Sequence, residues 1–195
     1  MAVRKQIPFN SGMFFITFTN AGFLPLFEIS NSYYDLVYKF FDVLKSKGHF
    51  VNAYVIMPNH VHAILSFTNT EKDINRIIDD GKRFIAYEIV KRLGEMKRFD
   101  ILDTLKSFVN NNDKLKGKIH EVFEPSFDWK ECIDDYLIEQ KLNYIHMNPC
   151  VYKPQLAASP CDYLHSSANY YLGNEKIIYE IAHRMQMKDI NFDKK

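Results

Sequence analysis

The stretch Phe50-Val51-Asn52-Ala53-Tyr54-Val55-Ile56-Met57-Pro58-Asn59-His60-Val61-His62-Ala63-Ile64-Leu65-Ser66-Phe67 decides the fold. Its two halves, 50–56 and 60–67, are rich in β-branched and aromatic residues and read as strands. Between them, Met57-Pro58-Asn59 is a turn signal, because proline cannot donate to a ladder and asparagine tolerates turn geometry. So short a link cannot carry a parallel crossover, and the two strands form an antiparallel hairpin.

Upstream, Met13 to Thr19 reads as a further strand. Tyr33 to Lys47 carries Leu36, Val37, Phe40, Phe41 and Leu44 at helical spacing, with Asn31 or Ser32 as N-cap and Gly48 as the stop. Downstream, Asp73 to Leu93 is a long helix, with Gly81, where the pattern weakens, as a candidate break. The polar run from Asp100 to Lys118, with Asn110, Asn111 and Asn112, reads in part as an insertion or mobile loop. Ile119 to Phe123 and Phe127 to Ile133 read as extended segments around Pro125. Asp134 to Met147 is a helix ended by Asn148-Pro149, and Ile177 to Met187 is a helix in the tail. This order predicts an α+β fold: a ferredoxin-like antiparallel sheet with helices packed on it, plus a C-terminal helical extension. The expected division is 1–173 for the main domain and 174–195 for the tail.

With 195 residues, the chain suits one well-buried core. A composition 47% hydrophobic and 25% charged is that of a soluble globular protein, and no apolar run approaches the ~18 residues of a membrane span. Met1 to Asn10 lacks the apolar core of a signal peptide, so a cytoplasmic location is expected. Cys132, Cys150 and Cys161 are too scattered for a thiolate zinc site or a disulfide framework. The net charge of +1 is low for a nucleic-acid binder, so a basic footprint has to be local. One candidate run is Lys82, Arg83, Lys91, Arg92, Lys97 and Arg98, which reads equally as a solvated helix face.

Two constellations carry chemistry. Side chains alternate along a strand, so His60 and His62 share one face, with Val61 on the other. Two imidazoles so placed are half of a metal site, and each should give its second ring N–H to an oxygen acceptor. Such a pair is also common on half-exposed strands. The second constellation lies in the helix. Ile138, Leu142 and Ile145 form its core stripe, while Gln140, Tyr144 and Asn148 form another at spacing four. At about 3.6 residues per turn, Tyr144 lies roughly 100° or more from the centre of the core stripe. Its phenol is a usable nucleophile. An amide oxygen one turn away, from Asn148 or Gln140, is a hard ligand. The chain has 12 tyrosines, and most are expected to be structural.

Together these stretches resemble a known family. Tyr54 to Leu65 looks like the HUH motif (His, hydrophobic, His) of the single-tyrosine transposases that act on single-stranded DNA. Tyr144-Ile145-His146-Met147-Asn148-Pro149 is similar to the tyrosine helix of the REP-associated tyrosine transposases. Asp162 to Ala168, with Ser166-Ser167, resembles their C-terminal element, and the likeness runs from about Met13 to about Gly173. The resemblance implies a catalytic domain over 1–173, with Mg²⁺ or Mn²⁺ held by His60, His62 and Asn148, and Gln140 as the alternative third ligand. It implies that Tyr144 attacks a DNA phosphate to leave a 5′-phosphotyrosine and a free 3′-OH. The partner would be single-stranded or hairpin DNA, with no membrane, and the protein a monomer in preference to a homodimer.

His146 falls on a different helical face from Tyr144 and is expected to pack rather than act as a base. Lys82, Arg83, Trp129 and Lys130 are candidates for contacting DNA, with Trp129 equally readable as a core anchor. Two rival readings stay open: a metal-dependent nuclease in which Tyr144 is structural, and a catalytically idle hairpin-binding protein.

Overall fold

A computed structural model describes residues 6–29, 33–69, 73–173 and 177–192. Its sheet is built from β1 (Gly12–Thr19), β2 (Phe50–Ile56), β3 (His60–Phe67) and β4 (Asp128–Glu131), in the order β2-β3-β1-β4, with every pairing antiparallel. The hairpin forms as expected: Ile56 pairs with Val61, and the Met57 N–H closes the turn on the His60 carbonyl at 2.8 Å. The loop after β1 pins that turn from outside. The Asn20 N–H donates to the Asn59 carbonyl and the Phe27 N–H to the Pro58 carbonyl.

Both faces of the sheet are covered, which explains why its strands are nearly continuous apolar runs. Phe14, Ile16 and Phe18 of β1 and Val61, Ala63, Leu65 and Phe67 of β3 face α1 (Tyr34–Ser46) and α2 (Ile74–Glu95). The alternate residues, Met13 and Phe15 of β1, Val55 of β2 and Ile64 of β3, face Ile138, Leu142 and Ile145 of a later helix. With α1 and α2 on one face and the strand order above, the core is the ferredoxin-like arrangement, extended by a helix on the second face. The proposed N-cap residues Asn31 and Ser32 lie outside the described residues.

Several boundaries differ from expectation. Helix α2 runs unbroken through Gly81, because that residue faces Phe40 rather than ending the helix. The polar stretch after it is helical, not a loop: α3 (Phe99–Ser107) buries Leu105, and α4 (Asn111–Leu115) starts where the Asn110 side chain accepts the Asp113 N–H. In the extended segments around Pro125 only Asp128–Glu131 forms a strand; Phe123 makes a lone bridge to Asn20. Helix α5 (Asp135–Val151) continues past Asn148-Pro149. A proline in the last turn loses one bond, and the Tyr152 N–H still reaches the Asn148 carbonyl at 3.0 Å.

Among its described residues the tail is helical only as a 3-10 turn, Arg184–Asp189. Its described earlier part, 177–183, has no regular secondary structure and docks on the edge of β2, which needs partners. The Ala182 N–H donates to the Val51 carbonyl, and the Asn52 amide donates to the Ala182 carbonyl. Farther along the same edge, Ile56 donates to the His165 carbonyl and Ser167 to the Tyr54 carbonyl, just before the short α6 (Ala168–Tyr171). Among the described residues no helix is long and apolar enough to cross a membrane.

Candidate active site

His60 and His62 stand on β3 on the face covered by α5, with ring centroids 4.5 Å apart. Each is held by its Nδ1. The His60 Nδ1 lies 2.6 Å from the Asn59 side-chain oxygen, an acceptor, so this nitrogen carries the proton and Nε2 presents a lone pair. The His62 Nδ1 lies 2.6 Å from the Thr17 hydroxyl, on the neighbouring residue of β1. Burial holds both rings neutral. His60 is pushed down to about 4 by burial, with its hydrogen bond to the Asn148 side chain acting in the opposite direction. His62 lies well below the ordinary histidine value through burial first, then through the His60 and Lys141 charges. Two neutral imidazoles with fixed outer nitrogens are what a divalent cation requires of its ligands.

The tyrosine helix supplies the opposite wall. Asp134 caps α5 by accepting the Leu137 N–H at 2.7 Å. From there Ile138, Leu142 and Ile145 sink into the sheet and set the helix's rotation. That rotation places the Tyr144 ring 5.0 Å from His62 and 5.9 Å from Phe15, edge-on to both. Tyr144 nevertheless stays 48% exposed, so a substrate has access to it. One turn on, Asn148 is buried and reaches His60, whereas Gln140 is exposed. No cluster of three His, Cys, Asp or Glu side chains exists among the described residues. A metal here would therefore take two imidazoles and the Asn148 amide, and the donor set suits a hard or borderline cation completed by water and phosphate oxygens.

His146 is buried and packs as expected. Its Nε2 lies 3.0 Å from the Ser167 hydroxyl, which also receives the Tyr54 N–H at 3.0 Å. The Ser166-Ser167 element is thus structural, pairing with the β2 edge and fastening the tyrosine helix to it.

The candidate DNA contacts separate. Lys130 pairs with Phe15, so it is exposed on the Tyr144 face. Trp129 pairs with Ile16 on the other face and meets Phe14 edge-on at 6.0 Å, as a core anchor. Lys82 is 7% exposed and donates to the Glu124 carbonyl at 3.0 Å; it is a buried tether rather than a free cation. Arg83 is exposed and paired with Asp80. Both border a cavity of about 660 Å³ between α2 and residues 116–125, on the face away from the histidines. The rest of the basic run is partly self-neutralised, Arg92 with Glu88 and Arg98 with Asp100.

Four residues at the site escaped the sequence reading: Phe15, Thr17, Asn59 and Lys141. Alternation along β1 puts Phe15 and Thr17 on one face, but only the register brings them against His62.

No family model and no curated protein matches the sequence. Among solved structures, the chain is similar to a REP-associated tyrosine transposase bound to a REP hairpin, with TM-score 0.62 and 15% identity over 100% of this chain and 98% of that one. A looser match, provisionally described as a transposase from Deinococcus radiodurans, has TM-score 0.40 and 16% identity over 73% of this chain and 95% of that one. The full-length match and the antiparallel sheet with a helix on its second face agree: the chain has the fold of a REP-associated tyrosine transposase.

Proposed function

We propose that this protein is a transposase-type enzyme that cleaves and rejoins single-stranded DNA, in or beside a hairpin, through a covalent bond to Tyr144. The observation that carries the reading is the half-exposed Tyr144 ring standing 5.0 Å from His62 of a fixed histidine pair.

In this reading His60, His62 and Asn148 hold Mg²⁺ or Mn²⁺. The ion, when bound, polarises a non-bridging phosphate oxygen and offsets its charge. The chain's own residues do the rest. Asn59 and Thr17 fix the two imidazoles, and α5 presents Tyr144 for in-line attack. The Tyr144 oxygen bonds to phosphorus as the bond from phosphorus to the 3′ oxygen breaks. The phenol proton passes to solvent and the leaving oxygen takes one up. No electrons change hands, and the reverse attack by a 3′-OH rejoins the strand. Histidine pair and tyrosine meet within one chain, which supports action as a monomer. Exposed Lys130 on the same face is suited to the DNA backbone.

The test is a denaturing gel of protein incubated with labelled hairpin and single-stranded oligonucleotides and Mn²⁺. Wild type should give a protein–DNA adduct, and Tyr144→Phe and His60→Ala none. Free cleavage products without adduct would instead identify a nuclease acting through water. Binding without cleavage would identify an idle hairpin-binding protein.

A further inference from the structure

Beside the tyrosine stands a cation that the proposed reaction does not yet use. Lys141 lies three residues before Tyr144, hence on the same side of α5. Its ammonium sits 4.5 Å from the centre of the Phe15 ring and 5.6 Å from that of Tyr144. Phe15 in turn is stacked on His62 at 5.4 Å. One aromatic ring thus ties together the lysine, the tyrosine and a histidine of the candidate metal site.

The carboxylates that would ordinarily neutralise this lysine are engaged elsewhere. Asp134 caps the helix. Asp135 and Glu139 hold Arg184, and Asp135 also holds Lys188. Glu131 pairs with Phe14, so its side chain belongs to the other face of the sheet. Among the described residues Lys141 forms no ion pair; its contacts are the two rings. A half-buried ammonium held over aromatic faces, without a carboxylate, is a site arranged for an incoming anion.

We propose that Lys141 is a catalytic residue, whose ammonium contacts a non-bridging oxygen of the scissile phosphate, on the tyrosine side of the site, as Tyr144 attacks. This rests on the tyrosine mechanism proposed for the chain. It would divide the charge of the phosphate between two holders, Lys141 and the cation that His60, His62 and Asn148 would bind. As the bond from the Tyr144 oxygen to phosphorus forms and the bond to the 3′ oxygen breaks, negative charge is spread over the non-bridging oxygens. A fixed ammonium beside them stabilises that state more than the ground state.

The test uses the full chain, Mn²⁺ and a pool of 3′-labelled stem–loop oligonucleotides with randomised single-stranded flanks, followed at single turnover. Lys141→Gln should slow adduct formation roughly 100-fold, the order seen when one charge-stabilising donor is removed, and Lys141→Arg should recover most of the rate. Mn²⁺ affinity and thermal melting should match wild type. The decisive arm replaces the mapped scissile phosphate by each methylphosphonate diastereomer, which lacks one charged oxygen. If Lys141 serves that oxygen, the gap between wild type and Lys141→Gln closes for one diastereomer. Equal rates on ordinary DNA, an unchanged gap on both diastereomers, or lost Mn²⁺ affinity would each overturn the proposal. Absence of any adduct from wild type sinks the tyrosine mechanism itself, a result distinct from wild type reacting and Lys141→Gln keeping pace.

Discussion

At the scale of single residues, the site depends on atoms that do no chemistry. The Thr17 hydroxyl, 2.6 Å from the His62 Nδ1, and the Asn59 oxygen, 2.6 Å from the His60 Nδ1, decide which ring nitrogen is available. Valine has nearly the shape of threonine and no hydroxyl. Thr17→Val should therefore keep the fold while lowering Mn²⁺ affinity by roughly 10- to 100-fold, the usual effect of losing a group that orients a ligand. Isothermal titration with Mn²⁺ checks this, and an unchanged affinity would show that β1 contributes only packing at this point. Such partners are hard to read from a sequence. Thr17 is one of two threonines on an apolar strand, 45 positions from the histidine it holds.

At the scale of elements, the helices are set by what lies beneath them more than by their own propensities. A glycine in a helix interior costs about 1 kcal/mol relative to alanine, and on that ground Gly81 reads as a break. Yet α2 passes through it, because an added Cβ would stand 2.3 Å from the buried Phe40 ring of α1. Gly81→Ala should therefore destabilise, overpacking of about 1–3 kcal/mol outweighing the gain in propensity. Urea unfolding tests it, and a higher midpoint would show that the α1–α2 contact is looser than its geometry. In α5 the same logic holds the tyrosine. Ile138, Leu142 and Ile145 fix the rotation of the helix, and the His146–Ser167 bond fixes it from the side. The core stripe was legible as a periodicity, whereas the lateral bond joins residues 21 positions apart.

For the whole molecule, the buried histidines couple stability to pH. Burial pushes His146 down to about 4 and also lowers His49, His60, His62 and His165. The unfolded chain titrates near 6.5, so it binds protons first. Stability is then fully present above about pH 6.5 and is lost as pH falls toward 4, His146 alone accounting for about 2 kcal/mol between pH 7 and pH 5. Urea melts across that range should show the loss, with a shallower slope for His146→Gln; equal slopes would mean that His146 is not the proton-excluding group. The antiparallel hairpin, the ferredoxin-like sheet and the faces of His60, His62 and Tyr144 were already determined by the sequence alone. They follow from periodicities of two and about 3.6 and from a turn too short for a crossover, all of which are local. The tertiary structure alone decided that Lys82 is buried and Trp129 lies on the far face. It also docked the tail on the edge of β2 and brought Thr17, Phe15 and Lys141 around the histidine–tyrosine pair. Those outcomes depend on strand register, on an open sheet edge and on the rotation of one helix over its core, which join residues far apart in the chain and leave no local pattern to read.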